Sequence, residues 1–197
     1  MISHKHKCIF VHIPRTAGSS IEKMICGKDW WSIDAKTKHI TASTSKEIYS
    51  EYWDDYFKFA FVRNPWSRAA SLSLWPNHYG SSIKDGKIDL REYAKKHHPL
   101  NIDYRSIEKN KEIKVKFPKG GVYLNTLGED LDFIGKFENL KSDISYIKEK
   151  LKIKTKMPHV QKGSFNTKDY RKLFSDDSKR IIQECHELDV QKFGYEF

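Results

Sequence analysis

The stretch FVHIPRTAGSSIEKMICG, residues 10–27, decides the fold. It continues an apolar run, Cys8 to Ile13, with β-branched members, the pattern of a strand covered on both faces of a parallel sheet. It ends with Ile21, Met24 and Ile25 on one helical face and Gly27 placed to close that helix. Between strand and helix stand Arg15, Thr16, Ala17, Gly18, Ser19 and Ser20. A loop entering a helix N-terminus meets unpaired N–H groups and the positive end of the helix dipole, so it suits an anion. Gly18 lets the backbone approach closely, Thr16, Ser19 and Ser20 add hydroxyl donors, and Arg15 adds a fixed charge. The loop reads as a site for a phosphate-like group.

A second junction repeats the plan. Tyr56 to Val62 reads as another buried strand, Asn64 can cap the helix that follows, and Pro65 suits its first position. Arg63 stands at the junction and Ser71 two turns into the helix, so both can meet a further anion where adjacent parallel strands present their carboxyl ends. Two anion sites on one ligand imply a doubly phosphorylated nucleotide. Arg68, in the same helix, has the right neighbourhood for the same anion, the alternative being that it caps the surface of its helix. The spacing is no Walker A loop, because G-x-x-x-x-G-K-[ST] is absent, and ATP bound with magnesium is disfavoured.

Elsewhere, Thr44 and Glu47 have capping-box spacing before a helix toward Trp53, and Asp89 and Glu92 before one reaching His97. Leu131 to Phe137 reads as a third strand, and Leu140, Ile144, Ile147 and Leu151 trace a helical stripe. Ile181, Cys185 and Leu188 keep helical spacing, with Gly194 as a stop. Strands alternating with helices predict a three-layer α/β fold with a mainly parallel central sheet flanked by helices. The 197 residues suit one domain, with a weakly patterned Lys-rich insert around residues 76–125.

The chain carries 36 Lys and Arg against 26 Asp and Glu, a formal charge of +10, which favours an anionic partner. Cys8, Cys26 and Cys185 are odd in number and lie in apolar segments, as buried thiols of a reducing compartment do. The apolar run near the start is short and broken by His12, so neither a signal peptide nor a membrane span is expected, and the expected location is cytoplasmic. The basic lead with His4 and His6 reads as a solvated terminus, and no metal site is expected.

FVHIPRTAGSS resembles the 5′-phosphosulfate loop, and FVRNPWSRAASL the 3′-phosphate motif, of sulfotransferases that use 3′-phosphoadenosine 5′-phosphosulfate (PAPS). The likeness is greatest to the carbohydrate O-sulfotransferase branch that includes heparan and chondroitin enzymes. KHITAS around His39, IGKFENL from Ile134, MPHVQK around His159 and the terminal FGYEF resemble that group in order and spacing, while residues 76–125 give little match. The family usually has lysine where this chain has Arg15, which donates hydrogen bonds but stays protonated.

The resemblance implies sulfuryl transfer to a hydroxyl acceptor, a carbohydrate in that branch, with PAPS as donor, adenosine 3′,5′-bisphosphate (PAP) as product and no metal. It gives His39 the role of general base and Arg15 that of stabilising the leaving group, with Arg15, Thr16, Ala17, Gly18, Ser19, Ser20, Arg63 and Ser71 binding the nucleotide. Lys162 and Ser164, on a late loop, are further cofactor candidates. His12 reads as a hydrogen-bonded core residue and His159 stays outside the catalytic set. Trp30, Trp31 and Trp66 are candidate adenine-stacking partners, with none chosen. Two other readings compete: a small P-loop kinase, and a non-catalytic basic module binding nucleic acid or an anionic glycan. No RNA-binding or helix-turn-helix pattern supports nucleic acid as the partner. The sequence sets neither the acceptor nor an oligomeric state.

Overall fold

The structure is a computed structural model and describes residues 1–75, 81–97, 121–128, 131–160 and 167–197. In chain order the strands are β1 Ile2–Ser3, β2 Cys8–Val11, β3 Phe57–Val62, β4 Ile83–Lys84, β5 Lys87–Ile88 and β6 Phe133–Lys136. The helices are α1 Gly18–Cys26, α2 Ala42–Ile48, α3 Ser50–Trp53, α4 Pro65–Ser73, α5 Leu90–His97, α6 Val122–Leu127, α7 Leu140–Lys150, α8 Asp176–Cys185 and α9 Glu187–Phe193. The chain divides into two compact units, one of Met1–Arg63 with Asn125–Lys162, the other of Asn64–Leu124 with Gly163–Phe197.

The first unit holds a four-stranded sheet in the order β1-β2-β3-β6. Strands β2, β3 and β6 run parallel, and β1 is antiparallel to β2. The fold is therefore mixed α/β with a mostly parallel sheet, as the alternation of strand and helix patterns predicts. Side chains alternate across a pleated strand, so Cys8, Phe10, Phe59 and Phe61 share one core cluster with Ile21, Met24 and Ile25 of α1 and with Ile144 and Ile147 of α7. The opposite set, Ile9, Val11, Ala60 and Val62, is buried as well. Both faces are covered, which is why these strands read as unbroken apolar runs. Each buried phenylalanine contributes about 1.5–3 kcal/mol. Gly135 completes the fit, because a Cβ there would lie 2.5 Å from the Phe61 ring.

Several local expectations are corrected. The N-terminal lead is no loose tail: Met1 is buried, its amino group donates to the Phe10 carbonyl at 3.0 Å, and β1 forms. His4 Nδ1 lies 2.9 Å from the Tyr56 hydroxyl and His6 Nδ1 3.2 Å from the Leu151 carbonyl, which ties the lead to the unit. The cap of α2 is Thr41, whose hydroxyl accepts from the Thr44 N–H at 3.2 Å, because the helix already starts at Ala42. Thr44 and Glu47 are inside the helix.

In the second unit Asn64 caps α4, its side chain accepting from the Ser67 N–H at 3.1 Å, with Pro65 in the first turn. Asp89 accepts from the Glu92 N–H at 3.0 Å at the start of α5. The stripe Ile181–Cys185–Leu188 does not run through one helix, since α8 ends at Cys185, α9 begins at Glu187, and Leu188 is exposed. Asp189 explains the break: fully buried, it lies 2.7 Å from His186 Nδ1 and accepts from the Tyr123 and Leu124 N–H groups, both at 3.0 Å. Arg68 is not at the surface but 1% exposed, with its guanidinium 5.6 Å from the Tyr123 ring centroid. Residues 76–80 and 98–120, most of the Lys-rich insert, lie outside the described residues. All three cysteines are free, with Cys8 and Cys185 buried and Cys26 half-buried. Burial pushes the Cys8 thiol up to about 12. No described helix is long and apolar enough to cross a membrane.

Candidate active site

The loop between β2 and α1 turns through two residues in the left-handed region, Arg15 at φ 70° and Ala17 at φ 69°. Neither is glycine, and each such residue costs roughly 1–2 kcal/mol of backbone strain. Thr16 helps hold the turn: fully buried, it donates its hydroxyl to the Ile13 carbonyl at 2.7 Å. Its hydroxyl fixes the loop from inside. Helix α1 then opens at Gly18, with the Ser20 and Ile21 N–H groups both donating to the Ala17 carbonyl, at 3.0 and 3.1 Å. The amides of Gly18 and Ser19 lie in the first turn, where no intrahelical acceptor exists. Left-handed turns leading into a helix gather such amides into an anion-binding concavity.

Gly18 is needed for a reason the sequence does not display. A Cβ there would fall 1.9 Å from His12 Nε2. The loop is wrapped over the His12 ring, and that close approach, more than approach to a ligand, excludes a side chain. Ser20 accepts at its hydroxyl oxygen from the Val160 N–H at 3.3 Å, which ties the MPHVQK segment to the first turn of α1.

Arg63, at the end of β3, is 3% exposed and donates from Nη1 to the Arg15 carbonyl at 3.1 Å. Its guanidinium lies 4.2 Å from the Phe137 ring centroid. Burial, and then the charge of Arg63, lower the Arg15 guanidinium from its usual 12.5 to about 10. Arg15 stays charged at neutral pH. The two cations work against each other, and an anion placed near both relieves that repulsion.

His39 joins this cluster through the main chain. Its Nδ1 lies 3.1 Å from the His12 carbonyl, and since a carbonyl only accepts, Nδ1 carries the proton. Nε2 is then the basic nitrogen. The ring meets His12 edge-on at 4.5 Å and Trp31 at 5.6 Å between centroids. Burial of the ring, then the charges of His12 and Lys38, bring His39 from its usual 6.5 to about 4. The residue as a whole is exposed, and the imidazole is neutral at pH 7.

Beneath the loop lies a group of charges that sequence reasoning missed. Glu22, on the second turn of α1, is fully buried and accepts from Lys38 Nζ at 2.5 Å, from His12 Nδ1 at 2.6 Å and from the Trp30 N–H at 3.0 Å. Lys38, 2% exposed, also donates to Asp29 at 2.7 Å. Asp29 in turn is hydrogen-bonded to Ser19 of the loop and to the Trp31 N–H. Burial pushes His12 down despite Glu22, whereas the hydrogen bonds outweigh burial at Glu22 and Asp29 and hold both carboxyls low. The available signal was Glu22 itself, a carboxylate one residue after Ile21 on the border of the apolar helix face.

Arg15, Thr16, Ala17, Gly18, Ser19, Ser20, Arg63 and His39 are thus gathered in the first unit. Ser71 is buried on α4 in the second unit. Lys162 and Ser164 lie outside the described residues. His159 is exposed. Of the stacking candidates, Trp30 and Trp66 are core residues and Trp31 is exposed. Among the described residues no group of three or more His, Cys, Asp or Glu could hold a metal ion.

Comparison with known proteins adds two findings. A family model described as the sulfotransferase family matches residues 1–114. An uncharacterized protein of Archaeoglobus fulgidus is 27% identical over 126 residues, covering 64% of this chain and 92% of that one. No solved structure matches.

Proposed function

The chain belongs to the sulfotransferase family, and on that premise we propose that it moves a sulfuryl group from PAPS to a carbohydrate hydroxyl, as a member of the carbohydrate O-sulfotransferase branch with a three-layer P-loop-like fold. The observation that carries this reading is the meeting of Arg15 and Arg63 at a left-handed loop that opens into α1. Such a loop fits the phosphosulfate end of a nucleotide: first-turn amides, serine hydroxyls and the Arg15 guanidinium converge where negative charge must be held, with the Arg63 cation beside them for a second anion. Bound PAPS supplies the sulfuryl group on an anionic leaving group.

The residues of this chain do the rest. The amides of Gly18 and Ser19, the Ser19 and Ser20 hydroxyls and the Arg15 guanidinium bind the 5′ end and stabilise charge that grows on the leaving oxygen, without a metal. Arg15 donates hydrogen bonds only, so charge stabilisation and not proton donation is its role. The 3′-phosphate is assigned to Arg63 and Ser71 on their motif, and Lys162 and Ser164, outside the described residues, remain cofactor candidates on sequence alone. His39 takes the acceptor proton at Nε2, while its Nδ1–H stays on the His12 carbonyl and fixes the tautomer. Because the ring is neutral at pH 7, it is in its receptive form without prior deprotonation.

The test is thermal unfolding with adenosine 3′,5′-bisphosphate, AMP and ATP, each with and without EDTA. Binding to the folded state alone raises the melting temperature by mass action. The bisphosphate should stabilise far more than AMP, with no effect of EDTA. Equal shifts for AMP and the bisphosphate would remove the 3′-phosphate assignment of Arg63 and Ser71, and a larger, magnesium-dependent shift with ATP would favour a kinase.

A further inference from the structure

The proposed donor loop has an electrostatic problem at its back. Glu22 is fully buried under it, and Asp29 is hydrogen-bonded to its Ser19. Two carboxylates behind an anion site oppose the anion they should help to seat, and burial strengthens the opposition because screening is weak there. One ammonium stands between them. Lys38 Nζ is 2.5 Å from Glu22 and 2.7 Å from Asp29, and the side chain is 2% exposed. A buried ion pair is poor evidence of a stability device, since desolvation offsets much of the attraction. Lysine therefore needs another reason to be drawn into this position.

We propose that Lys38 is a positioning residue for the donor site. Its ammonium cancels the carboxylate charge beneath the loop, and through Glu22 it fixes the His12 segment whose carbonyl orients His39. The two effects share one geometry: the Glu22 carboxylate grips His12 Nδ1 at 2.6 Å, and the His12 ring is the surface on which Gly18 rests. This inference rests on the reading of the loop as a nucleotide site.

The experiment measures the dissociation constant of adenosine 3′,5′-bisphosphate for the wild type, Lys38→Met and the charge-balanced Glu22→Gln/Lys38→Met, at pH 7.5 and pH 5.5. The groups that face Glu22 are His12 just after β2, Lys38, Asp29 and His39 from the segment between α1 and α2, Cys26 at the end of α1, and the Met1 amino group beside β1. Once Lys38 is gone, the buried Glu22 carboxyl has lost its cation and takes up a proton more readily as pH falls. Lys38→Met should therefore weaken binding about tenfold relative to wild type at pH 7.5, and the ratio should shrink at pH 5.5. The double variant should bind close to wild type at both pH values. Affinity unchanged in Lys38→Met, or a loss that is the same at both pH values and is not repaired in the double variant, would overturn the proposal.

If Lys38→Met does not fold, Asp29→Asn carries the test with opposite sign. Removing one carboxylate while Lys38 remains should tighten bisphosphate binding, and unchanged or weaker binding overturns the proposal. A wild type that binds the bisphosphate no better than AMP overturns the nucleotide reading itself and the inference with it. That outcome shows in the wild type alone, before any variant is compared.

Discussion

Replacing Gly18 with alanine tests how the loop is held. The added Cβ would lie 1.9 Å from His12 Nε2 and 2.0 Å from its Cδ2, far inside van der Waals contact. The ring cannot swing away cheaply, because Nδ1 is held by Glu22 at 2.6 Å and the residue is 4% exposed. The loop must then move, and overpacking of this kind costs about 1–3 kcal/mol. For a chain of this size each kcal/mol lowers the melting temperature by about 2–4 °C, so Gly18→Ala should melt about 2–12 °C below wild type. It should also lose most of the stabilisation by adenosine 3′,5′-bisphosphate, since the displaced segment carries the first-turn amides. Gly27→Ala is the control: with φ at +77° and nothing within 4 Å of a new Cβ, it suffers backbone strain alone and should keep its nucleotide response. In a His12→Ala background the penalty at Gly18 should shrink, a coupling that a double-mutant cycle reads directly. Gly18→Ala melting within about 1 °C of wild type and binding nucleotide normally would refute the wrapping of the loop over His12.

The remaining predictions concern charge and protonation. Arg15→Lys should retain activity, while Arg15→Ala should lose roughly 10²-fold or more in turnover, the scale of one lost oxyanion donor; equal effects of the two would remove a catalytic role for the charge. Arg63→Ala should mainly raise the Michaelis constant for PAPS, because a 3′-phosphate contact is alike before and during transfer; steady-state kinetics decide. His39→Ala should lower turnover by about 10² to 10⁴ with bisphosphate affinity kept, and because the folded-state imidazole is held below its usual 6.5, the acid limb of the wild-type rate should lie below pH 6.5 and vanish in the variant. His12, His39 and His186 all have folded-state values below the usual 6.5, so the native state binds fewer protons than the unfolded chain. Their contribution to stability is complete above pH 6.5 and is lost as pH falls below it, as denaturant titrations between pH 7.5 and 5 should show.

The sheet was legible because burial on both faces leaves its mark along the strand itself: Cys8–Val11 and Phe57–Val62 are nearly unbroken apolar runs. Asn64–Pro65 was legible as a helix start for a similar local reason. Features that depend on distant partners were not. Lys38 looks like one cation in a Lys-rich loop, yet it is drawn inside by Glu22, sixteen positions away in sequence. Leu188 fits the helical stripe of Ile181 and Cys185, but Asp189, pulled in to cap α6, resets the helix and turns Leu188 outward. Arg15, Gly18 and His39 were picked out by their motif, whereas the physical reasons for them, a left-handed backbone, the ring of His12 and a carbonyl on Nδ1, appear only in three dimensions.

The most direct measurement incubates the protein with PAPS and a panel of carbohydrate hydroxyl acceptors and follows sulfate-ester formation by mass spectrometry alongside release of adenosine 3′,5′-bisphosphate. The account predicts one sulfate ester per bisphosphate released, no dependence on added metal, and near-complete loss of transfer in His39→Ala with bisphosphate binding intact. PAPS left untransferred across the panel, together with a bisphosphate affinity no better than that for AMP, would contradict it.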